Sequence, residues 1–323
     1  MNCFIFGGSG FIGTHLVDAI AAACPDATVY NLDIVKTTHG GKSVHILCDV
    51  RREISSDGIA PTANDVIFNL AAVHRTPGHP DFDYFETNIR GAENVCAFAE
   101  RYGIRKIAFT SSIAPYGAAE ELKEETTLPT PNTPYGISKL VAEEIHRIWQ
   151  ARDNENRQLL ILRPGVVFGK GENGNFTRLY KGIRNRTFFY AGRRDTVKAC
   201  MYVKELTRFM LYRLDARRGE TELYNCTFEP AYTIEQIAET IKKVTGLQRR
   251  ILKINGTLLI FVASVFGVLG FKKFGIHPAR VKKLMISTNI SGKRLAASSY
   301  RFKYTFEESI RDWYSDNDNK SLE

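Results

Sequence analysis

The sequence NCFIFGGSGFIGTHLVDAIAAACPDATVYNLD, residues 2–33, determines how the rest of the chain is organised. It opens with a short apolar run, residues 3–6, that is typical of a buried parallel strand. Glycines follow at 7, 10 and 13, the next residues have a helical pattern, and a second apolar run ends at Asp33. The stretch therefore predicts a strand, a tight glycine turn, a helix and a second strand.

This order of elements indicates a binding site for a dinucleotide. Glycine at Gly7, Gly10 and Gly13 lets backbone N–H groups approach a pyrophosphate and lets the helix pack closely on the strand. The beginning of the helix, at Phe11 and Ile12, presents unpaired N–H groups and a partial positive charge. We expect Asp33 to accept hydrogen bonds from an adenosine ribose and to repel a 2′-phosphate, which favours NAD over NADP.

Composition narrows the class of protein. The chain has 323 residues, of which 44% are hydrophobic and 24% charged, so it can bury a sizeable core. Its net charge is +9, but the basic residues form no single run and do not alternate with stacking aromatics, which argues against nucleic-acid binding. The six cysteines form no CxxC motif and no metal-ligand group, so we expect buried thiols in the cytoplasm and no bound metal. No signal peptide is expected, because the first residues already belong to a strand.

Strand-like runs and helical patterns alternate from residue 2 to residue 164. The alternation predicts an α/β fold of the Rossmann type, a doubly wound parallel sheet with helices on both faces. Residues 51–59 are expected to form one short helix of this region. Beyond residue 165 the pattern becomes irregular, which predicts an NAD-binding domain over 1–165, with a returning segment near 196–228, and a smaller mixed α/β substrate-binding domain over 166–323.

Three residues predict the chemistry. Tyr135 and Lys139 are four residues apart in a predicted helix over 133–151, so both side chains project from one face. A nearby ammonium stabilises a phenolate and is expected to lower the pKa of Tyr135 towards the neutral range. Ser112 lies at the carboxyl end of a predicted strand and can orient the substrate hydroxyl that Tyr135 deprotonates.

With these motifs the chain resembles the extended short-chain dehydrogenases/reductases, in particular their nucleotide-sugar epimerases and dehydratases. The resemblance covers nearly the whole chain and rests on GGSGFIG (7–13), CDV (48–50), LAA (70–72), NIRGAENV (88–95), TSSIAPYG (110–117), PYGISK (134–139), LRPGVVFG (162–169) and MYVKEL (201–206). It implies an NAD-dependent enzyme that forms a homodimer through the helices near 88–102 and 134–150.

The resemblance also implies roles for single residues. Asp49 and Val50 would contact the adenine, and the path of the pyrophosphate and ribose would be lined by Leu70, Ala71 and Ala72. Ser112, Tyr135 and Lys139 match the catalytic residues of the family. Lys139 would also bind the nicotinamide ribose, and Tyr135 would also contact the cofactor.

Departures from the sequence pattern of the family limit the types of reaction that the chain is expected to catalyse. Dehydratases of the family carry Asp-Glu directly after the catalytic Ser or Thr, whereas this chain has Ile113 and Ala114, which cannot transfer protons. The remaining chemistry is oxidation and re-reduction at one carbon, as in a 4-epimerase. A 4-keto nucleotide-sugar reductase using NAD(P)H would need the same three residues. A non-catalytic NAD-binding scaffold is the alternative of another class, and it would be expected to lack Tyr135 or Lys139.

Several stretches resemble one subgroup of the family. HPARVKKLMISTNISGKRL (277–295), AAVHR (71–75) and FTSSIAPYG (109–117) are similar to bacterial enzymes that epimerise N-acetylglucosamine to N-acetylgalactosamine on undecaprenyl diphosphate, for cell-envelope polysaccharides such as O-antigen. UDP-N-acetylglucosamine is the alternative substrate. By resemblance and position, the candidate residues that contact the sugar diphosphate are His74, Ser112, Asn175, Lys198 and Arg280.

An apolar run of fourteen residues, 258–271, has two interpretations. It is too short to span a bilayer, so it predicts either a buried helix of the smaller domain or an interfacial helix. Basic residues at 272, 273, 280, 282 and 283 follow it and would suit an anionic membrane surface. The second interpretation predicts a cytoplasmic protein with peripheral contact to the inner face of the membrane through 258–283.

Overall fold

The structure is a computed structural model that describes residues 1–36, 43–56, 58–74, 78–214, 221–257, 259 and 285–323. Strands and helices alternate through the first half in the order β1 (Asn2–Phe6), α1 (Phe11–Ala23), β2 (Thr28–Asp33), β3 (Val44–Leu47), β4 (Val66–Asn69), α2 (Asp81–Arg101), β5 (Lys106–Thr110), a 3₁₀ turn (Ala114–Tyr116), β6 (Ala119–Lys123), α3 (Pro134–Ala151) and β7 (Gln158–Pro164).

The second half has shorter strands. Its elements are β8 (Val166–Phe168), α4 (Asn175–Arg184), β9 (Tyr190–Ala191), β10 (Val197–Lys198), β11 (Cys200–Tyr202), α5 (Val203–Leu214), β12 (Thr221–Cys226), β13 (Tyr232–Thr233), α6 (Ile234–Thr245), β14 (Lys253–Ile254), β15 (Thr288–Ile290), α7 (Lys293–Ala296) and α8 (Phe306–Asp316). Within the described ranges, no helix is both long and apolar enough to cross a bilayer.

A seven-stranded sheet forms the centre of the fold, and its strands follow in the order β12-β7-β5-β4-β1-β2-β3. Every neighbouring pair in it is parallel. The order reverses at β1, which lies between β2 and β4, and ligands of such sheets bind at the carboxyl edge beside this reversal. The predicted Rossmann-type sheet is confirmed.

Both faces of the sheet are covered by helices. Alternate residues of β1 point in opposite directions, so that Cys3 and Ile5 pack in the core beneath α1 and α5, while Phe4 and Phe6 pack in the core beneath α2 and α3. All four side chains are buried. This two-sided burial explains why β1 is an uninterrupted apolar run.

The expected helix at 51–59 is wrong for the residues described there. The backbone N–H of Arg51 donates to the Asp49 carboxylate (3.0 Å), and the N–H of Arg52 donates to the Asp49 carbonyl (2.9 Å). These bonds close a turn around Asp49, and the chain then continues without helix to Ser56. A side chain that bonds the backbone locally in this way competes with helix formation.

A second, four-stranded sheet has the order β13-β10-β15-β6 and lies outside the central one. A separate core joins the helices of the second half, with Phe168, Phe176, Ile241 and Trp313 buried in it. Strand β12, which falls within 196–228, pairs with β7 in the central sheet. The division into domains at residue 165 stays a prediction. The apolar run 258–271, apart from residue 259, lies outside the described residues.

Candidate active site

The glycine turn after β1 is tightly packed. Gly7 has φ +81°, a backbone conformation that favours glycine. A Cβ atom at Gly7 would lie 2.8 Å from the backbone nitrogen of Ala71, and one at Gly13 would lie 2.6 Å from the carbonyl oxygen of Gly7. The turn therefore holds Leu70, Ala71 and α1 so close to its backbone that side chains at Gly7 and Gly13 are excluded.

Helix α1 begins at this turn without a side-chain cap at Gly10. The first intrahelical hydrogen bond runs from the N–H of Thr14 to the carbonyl of Gly10 (3.0 Å). The N–H groups of Phe11, Ile12 and Gly13 precede that bond and point out of the helix end, where its dipole is positive. This cradle fits the pyrophosphate of NAD.

Asp33, at the end of β2, lies beside the same turn. One carboxylate oxygen accepts a hydrogen bond from the N–H of Ser9 (3.0 Å), and the other accepts one from the N–H of Val35 (3.0 Å). Each oxygen keeps a further lone pair, because a carboxylate can accept about four hydrogen bonds. The carboxylate is thereby fixed at the turn and can accept bonds from two ribose hydroxyls.

The residues predicted to contact the adenine lie next to α2. Val50 is buried, and it packs so closely on α2 that a Cβ atom at Gly91 would lie 2.9 Å from its side chain. The Asp49 carboxylate accepts hydrogen bonds from the Arg51 guanidinium at 2.7–3.1 Å, which lowers the pKa of Asp49. The carboxylate predicted to bind adenine therefore already forms an ion pair on the surface.

The three predicted catalytic residues come together at the carboxyl ends of β5 and β7. Thr133 caps α3 by accepting a hydrogen bond from the N–H of Gly136 (3.1 Å), and this fixes the helix start that presents Tyr135. The phenol of Tyr135 is hydrogen-bonded to Ser112. One turn later, Lys139 is buried and its Nζ donates to the carbonyl oxygen of Thr110 (2.8 Å).

The electrostatics of these residues differ from the sequence-based expectation. Burial raises the pKa of Tyr135, and the hydrogen bond from Ser112 acts in the opposite direction. Burial also lowers the pKa of Lys139 to about 7, against an upward effect of Glu143. The protein's own groups therefore raise the pKa of Tyr135 instead of lowering it, and a lowered pKa beside the positive charge of bound nicotinamide stays a prediction. An ammonium that is half-deprotonated near neutrality is a weaker partner for the phenolate than the spacing suggested.

The residues predicted to contact the sugar diphosphate lie in several different places. His74 is exposed after β4, and Asn175 is exposed at the start of α4, where its side chain accepts a hydrogen bond from Arg178 (3.0 Å). Lys198 lies in β10, and its Nζ donates to the carbonyl of Ile286 (2.7 Å). Arg280 lies outside the described residues. These four assignments stay predictions.

Asn88, which the sequence interpretation did not single out, links the elements around the site. It is buried in α2, and its side chain bonds both the N–H (2.9 Å) and the carbonyl (3.1 Å) of Val73. Its amide also donates to the hydroxyl of Ser138 in α3 (2.8 Å). The sequence does contain a sign of this role, because Asn88 is a polar residue on the apolar face of a predicted helix. A buried amide needs hydrogen-bond partners, so such a residue is expected to link elements.

The sequence profile of the NAD-dependent epimerase/dehydratase family matches residues 3–227. The chain belongs to this family. The assignment confirms the predicted enzyme class, NAD-dependent sugar epimerases, and confirms NAD as the cofactor.

Individual proteins are similar to this chain in sequence or in fold. An N-acetyl-α-D-glucosaminyl-diphospho-ditrans,octacis-undecaprenol 4-epimerase from Escherichia coli O157:H7 is 30% identical over 314 residues, which is 96% of this chain and 93% of that protein. MoeE5, solved with UDP-glucuronic acid and NAD, superposes with a TM-score of 0.74 at 20% identity and covers 98% of this chain and 100% of its own. A UDP-N-acetylglucosamine 4-epimerase from Bacillus cereus gives a TM-score of 0.73 at 17% identity, with 98% of both chains covered.

Proposed function

We propose that the protein is a 4-epimerase of an N-acetylhexosamine carried on a diphosphate, with N-acetylglucosamine linked to undecaprenyl diphosphate as the leading substrate. The observation that carries the proposal is the meeting of Ser112, Tyr135 and Lys139 at the carboxyl end of β5, in the same parallel sheet whose β1 leads into the glycine turn. The lipid-linked substrate is favoured because the E. coli relative named for it aligns with 96% of this chain. A UDP-linked N-acetylhexosamine is the second candidate.

Each of the three catalytic residues would have a separate role in the reaction. Tyr135 removes the proton from the 4-hydroxyl of the sugar and returns it at the end of the cycle. Ser112, already hydrogen-bonded to Tyr135, holds the same sugar oxygen in line. Lys139 in its protonated form stabilises the phenolate. NAD, held by the glycine turn and Asp33, would supply the acceptor and donor for the hydride at C4, so that the reaction has no net oxidation.

The loop after β5 supports chemistry at a single carbon. Ile113 packs against a small apolar cluster around Tyr116, and Ala114 opens the 3₁₀ turn. Neither side chain carries a group that could move a proton at C5 or C6 of the sugar. This composition disfavours dehydration and leaves C4 as the reacting carbon.

The proposal also names the residues that would hold the sugar diphosphate. We infer that the sugar diphosphate is held by His74, Asn175, Lys198 and Arg280, since cations and polar groups suit a diphosphate.

The apolar and basic sequence 258–283 would contact the anionic membrane surface on which a lipid-linked sugar resides. Co-sedimentation with vesicles that contain phosphatidylglycerol, compared with neutral vesicles, tests that contact. Equal partition to both would contradict it.

The test of the proposed reaction uses the purified protein with bound NAD and no added NADH. It is incubated with undecaprenyl-diphospho-N-acetylglucosamine and, separately, with UDP-N-acetylglucosamine, and the 4-epimer is measured. Inversion without reductant is expected, and the faster of the two substrates identifies the carrier. If neither substrate is inverted, and the protein instead reduces a 4-keto sugar diphosphate when NADH is supplied, it is a 4-keto-sugar reductase.

Tyr135→Phe and Tyr212→Phe make a matched pair for this assay. Tyr212 lies on α5, on the opposite side of the sheet, and its ring contacts that of Tyr300 at a tilt of 51°. We expect Tyr135→Phe to lower the rate at least about a hundredfold, because it removes the acid–base group, while Tyr212→Phe keeps the wild-type rate. Wild-type turnover in Tyr135→Phe would overturn the assignment of the base and leave a non-catalytic NAD-binding role open.

A further inference from the structure

A buried ion pair lies behind the catalytic residues and takes no part in the reaction described above. Glu143 of α3 is fully buried, and its carboxylate accepts hydrogen bonds from Arg163 Nε (2.9 Å) and Nη2 (2.6 Å). The hydroxyl of Ser111 donates to the same carboxylate. The Arg163 guanidinium stacks over the ring of Tyr116 at 4.6 Å from the ring centroid. Burying two charges costs free energy that their pairing only partly offsets, so the pair calls for an explanation other than stability.

The pair is joined to the catalytic residues through the end of β5. Thr110 and Ser111 are consecutive, and they bind two residues one turn apart on α3, because Lys139 donates to the carbonyl of Thr110 (2.8 Å) while Ser111 donates to Glu143. Ser112 is the next residue after this two-point attachment. The distance between Ser112 and α3 is therefore set by bonds to the two residues that precede it.

Strand β7 completes the attachment. The N–H of Ser111 donates to the carbonyl of Leu162 (2.7 Å), and Arg163 follows Leu162 directly in β7. The guanidinium of Arg163 thus binds Glu143 from the strand neighbouring the one that carries Ser111. Three elements, α3, β5 and β7, meet at a single carboxylate.

We propose that Glu143 is a positioning residue that, through Ser111 and Arg163, holds Ser112 at the working distance from Tyr135 and Lys139. The inference rests on the proposed catalytic roles of those three residues. The negative charge of the same carboxylate also favours the protonated form of Lys139.

The titratable groups around Tyr135 and Lys139 come from four elements. They are Glu143 and His146 of α3, Arg163 of β7, Tyr116 of the 3₁₀ turn and Tyr84 of α2. Burial lowers the pKa of His146 to about 4, so this ring is neutral near pH 7. Glu143 is thus the nearby anion that raises the pKa of Lys139, and its own charge is paired with Arg163.

Replacing Glu143 by glutamine keeps the shape of the side chain and removes its charge. Lys139 then lacks the anion that raises its pKa, so it loses its proton at a lower pH and stabilises the Tyr135 phenolate less. The rising limb of the pH profile should therefore move to higher pH. A purely structural role of Glu143 would leave this limb in place.

The test compares Glu143→Gln with Glu144→Gln, the same substitution at the neighbouring, exposed position on α3, where the side chain pairs with Arg147 (3.3 Å). For Glu143→Gln we expect kcat to fall about tenfold or more, with KM within about twofold, since substrate contacts are untouched. Glu144→Gln should keep both constants. Wild-type kcat and an unmoved pH profile in Glu143→Gln would overturn the proposal.

A second readout does not depend on a sugar substrate. Tyrosinate absorbance is titrated in the NAD-bound protein, and the contribution of Tyr135 is obtained by subtracting the titration of Tyr135→Phe. In Glu143→Gln this contribution should appear at a pH about one unit higher, because the phenolate loses part of its stabilisation. If wild-type protein converts no sugar, the proposed function fails, and this titration still decides the role of Glu143.

Ser111→Ala is a second test of the proposal, and it can be used even if Glu143→Gln does not fold. It removes one hydroxyl and leaves the ion pair intact, so circular dichroism and NAD binding should match the wild type. We expect kcat to fall about threefold to tenfold from the looser attachment of Ser112, with KM unchanged. An unaltered kcat in Ser111→Ala would contradict the proposed attachment, whatever the outcome with Glu143→Gln.

Discussion

Lys139 shows how the protein balances charge and burial in one side chain. Only 2% of its surface is exposed, and its Nζ lies 4.8 Å from the centroid of the Phe109 ring. Burial lowers its pKa to about 7, whereas a lysine in an unfolded chain titrates near about 10.4. The folded protein therefore binds this proton more weakly than the unfolded chain does.

The pH dependence of stability follows from that difference. Between pH 7 and about 10 the unfolded chain binds more protons at this site, so the free energy of unfolding rises with pH, and below pH 7 the full cost of burying the charge is present. At pH 6 we expect Lys139→Met to exceed the wild type in unfolding free energy by about 2 kcal/mol. The difference should shrink towards pH 10. Urea unfolding at pH 6, 8 and 10 measures it, and a constant difference would contradict the shift.

Asp33 permits a prediction about cofactor choice. Its two carboxylate oxygens accept bonds from Ser9 and Val35, so the negative charge is fixed at the glycine turn, where we expect the adenosine ribose to bind. In Asp33→Ser we expect NADP to bind at least about tenfold more tightly than to the wild type, because the repulsion is gone. Fluorescence titration with NADPH and NADH measures both affinities. An unchanged NADPH affinity would show that Asp33 does not face the ribose.

At the scale of elements, Asn88 connects α2, α3 and the loop after β4. Replacing it by alanine removes three hydrogen bonds, two to Val73 and one to Ser138. We expect Asn88→Ala to lower the free energy of unfolding by about 2 kcal/mol and to raise KM for the sugar, since His74 follows Val73 in the loop. Glu93→Ala, at an exposed position of the same helix, should change neither. Chemical denaturation and steady-state kinetics provide the comparison.

The elements that sequence patterns predicted are those whose determinants are local. The glycine turn, the apolar strand β1 and helix α3 each follow from a few adjacent residues, so their positions and types could be inferred. Tyr135 and Lys139 were found for the same reason, since four-residue spacing on a helix places them on one face.

Other features depend on residues far apart in the chain. Strand β6 pairs with β15 across a separation of more than 160 residues, and β6 alone has too little apolar alternation to indicate a strand. The low pKa of Lys139 arises from burial beneath several elements, which spacing along one helix does not show. Glu143 and Arg163 look like ordinary charged residues until the fold brings them together.

Helix α3 carries a stripe of exposed apolar side chains that could take part in assembly of the whole protein. Ile137, Val141 and Ile148 have exposed fractions of 40%, 38% and 55%, and their spacing places them along one side of the helix. The opposite side of α3 packs on α2 and the sheet. An apolar stripe of this kind is typical of a surface that meets another protein.

The predicted homodimer would use this stripe, since the family resemblance puts α2 and α3 at the subunit contact. We expect the protein to sediment at twice the mass of one chain and Ile148→Glu to sediment as a monomer, because a buried, unpaired carboxylate at the contact opposes association. Leu128→Glu is the matched control, as Leu128 is 80% exposed in the loop before α3, at the end of the helix opposite Ile148, and it should remain a dimer. A dimer that tolerates Ile148→Glu would place the contact elsewhere. A monomeric wild type at micromolar concentration would contradict the homodimer itself, and the apolar stripe would then be an ordinary exposed part of the helix surface.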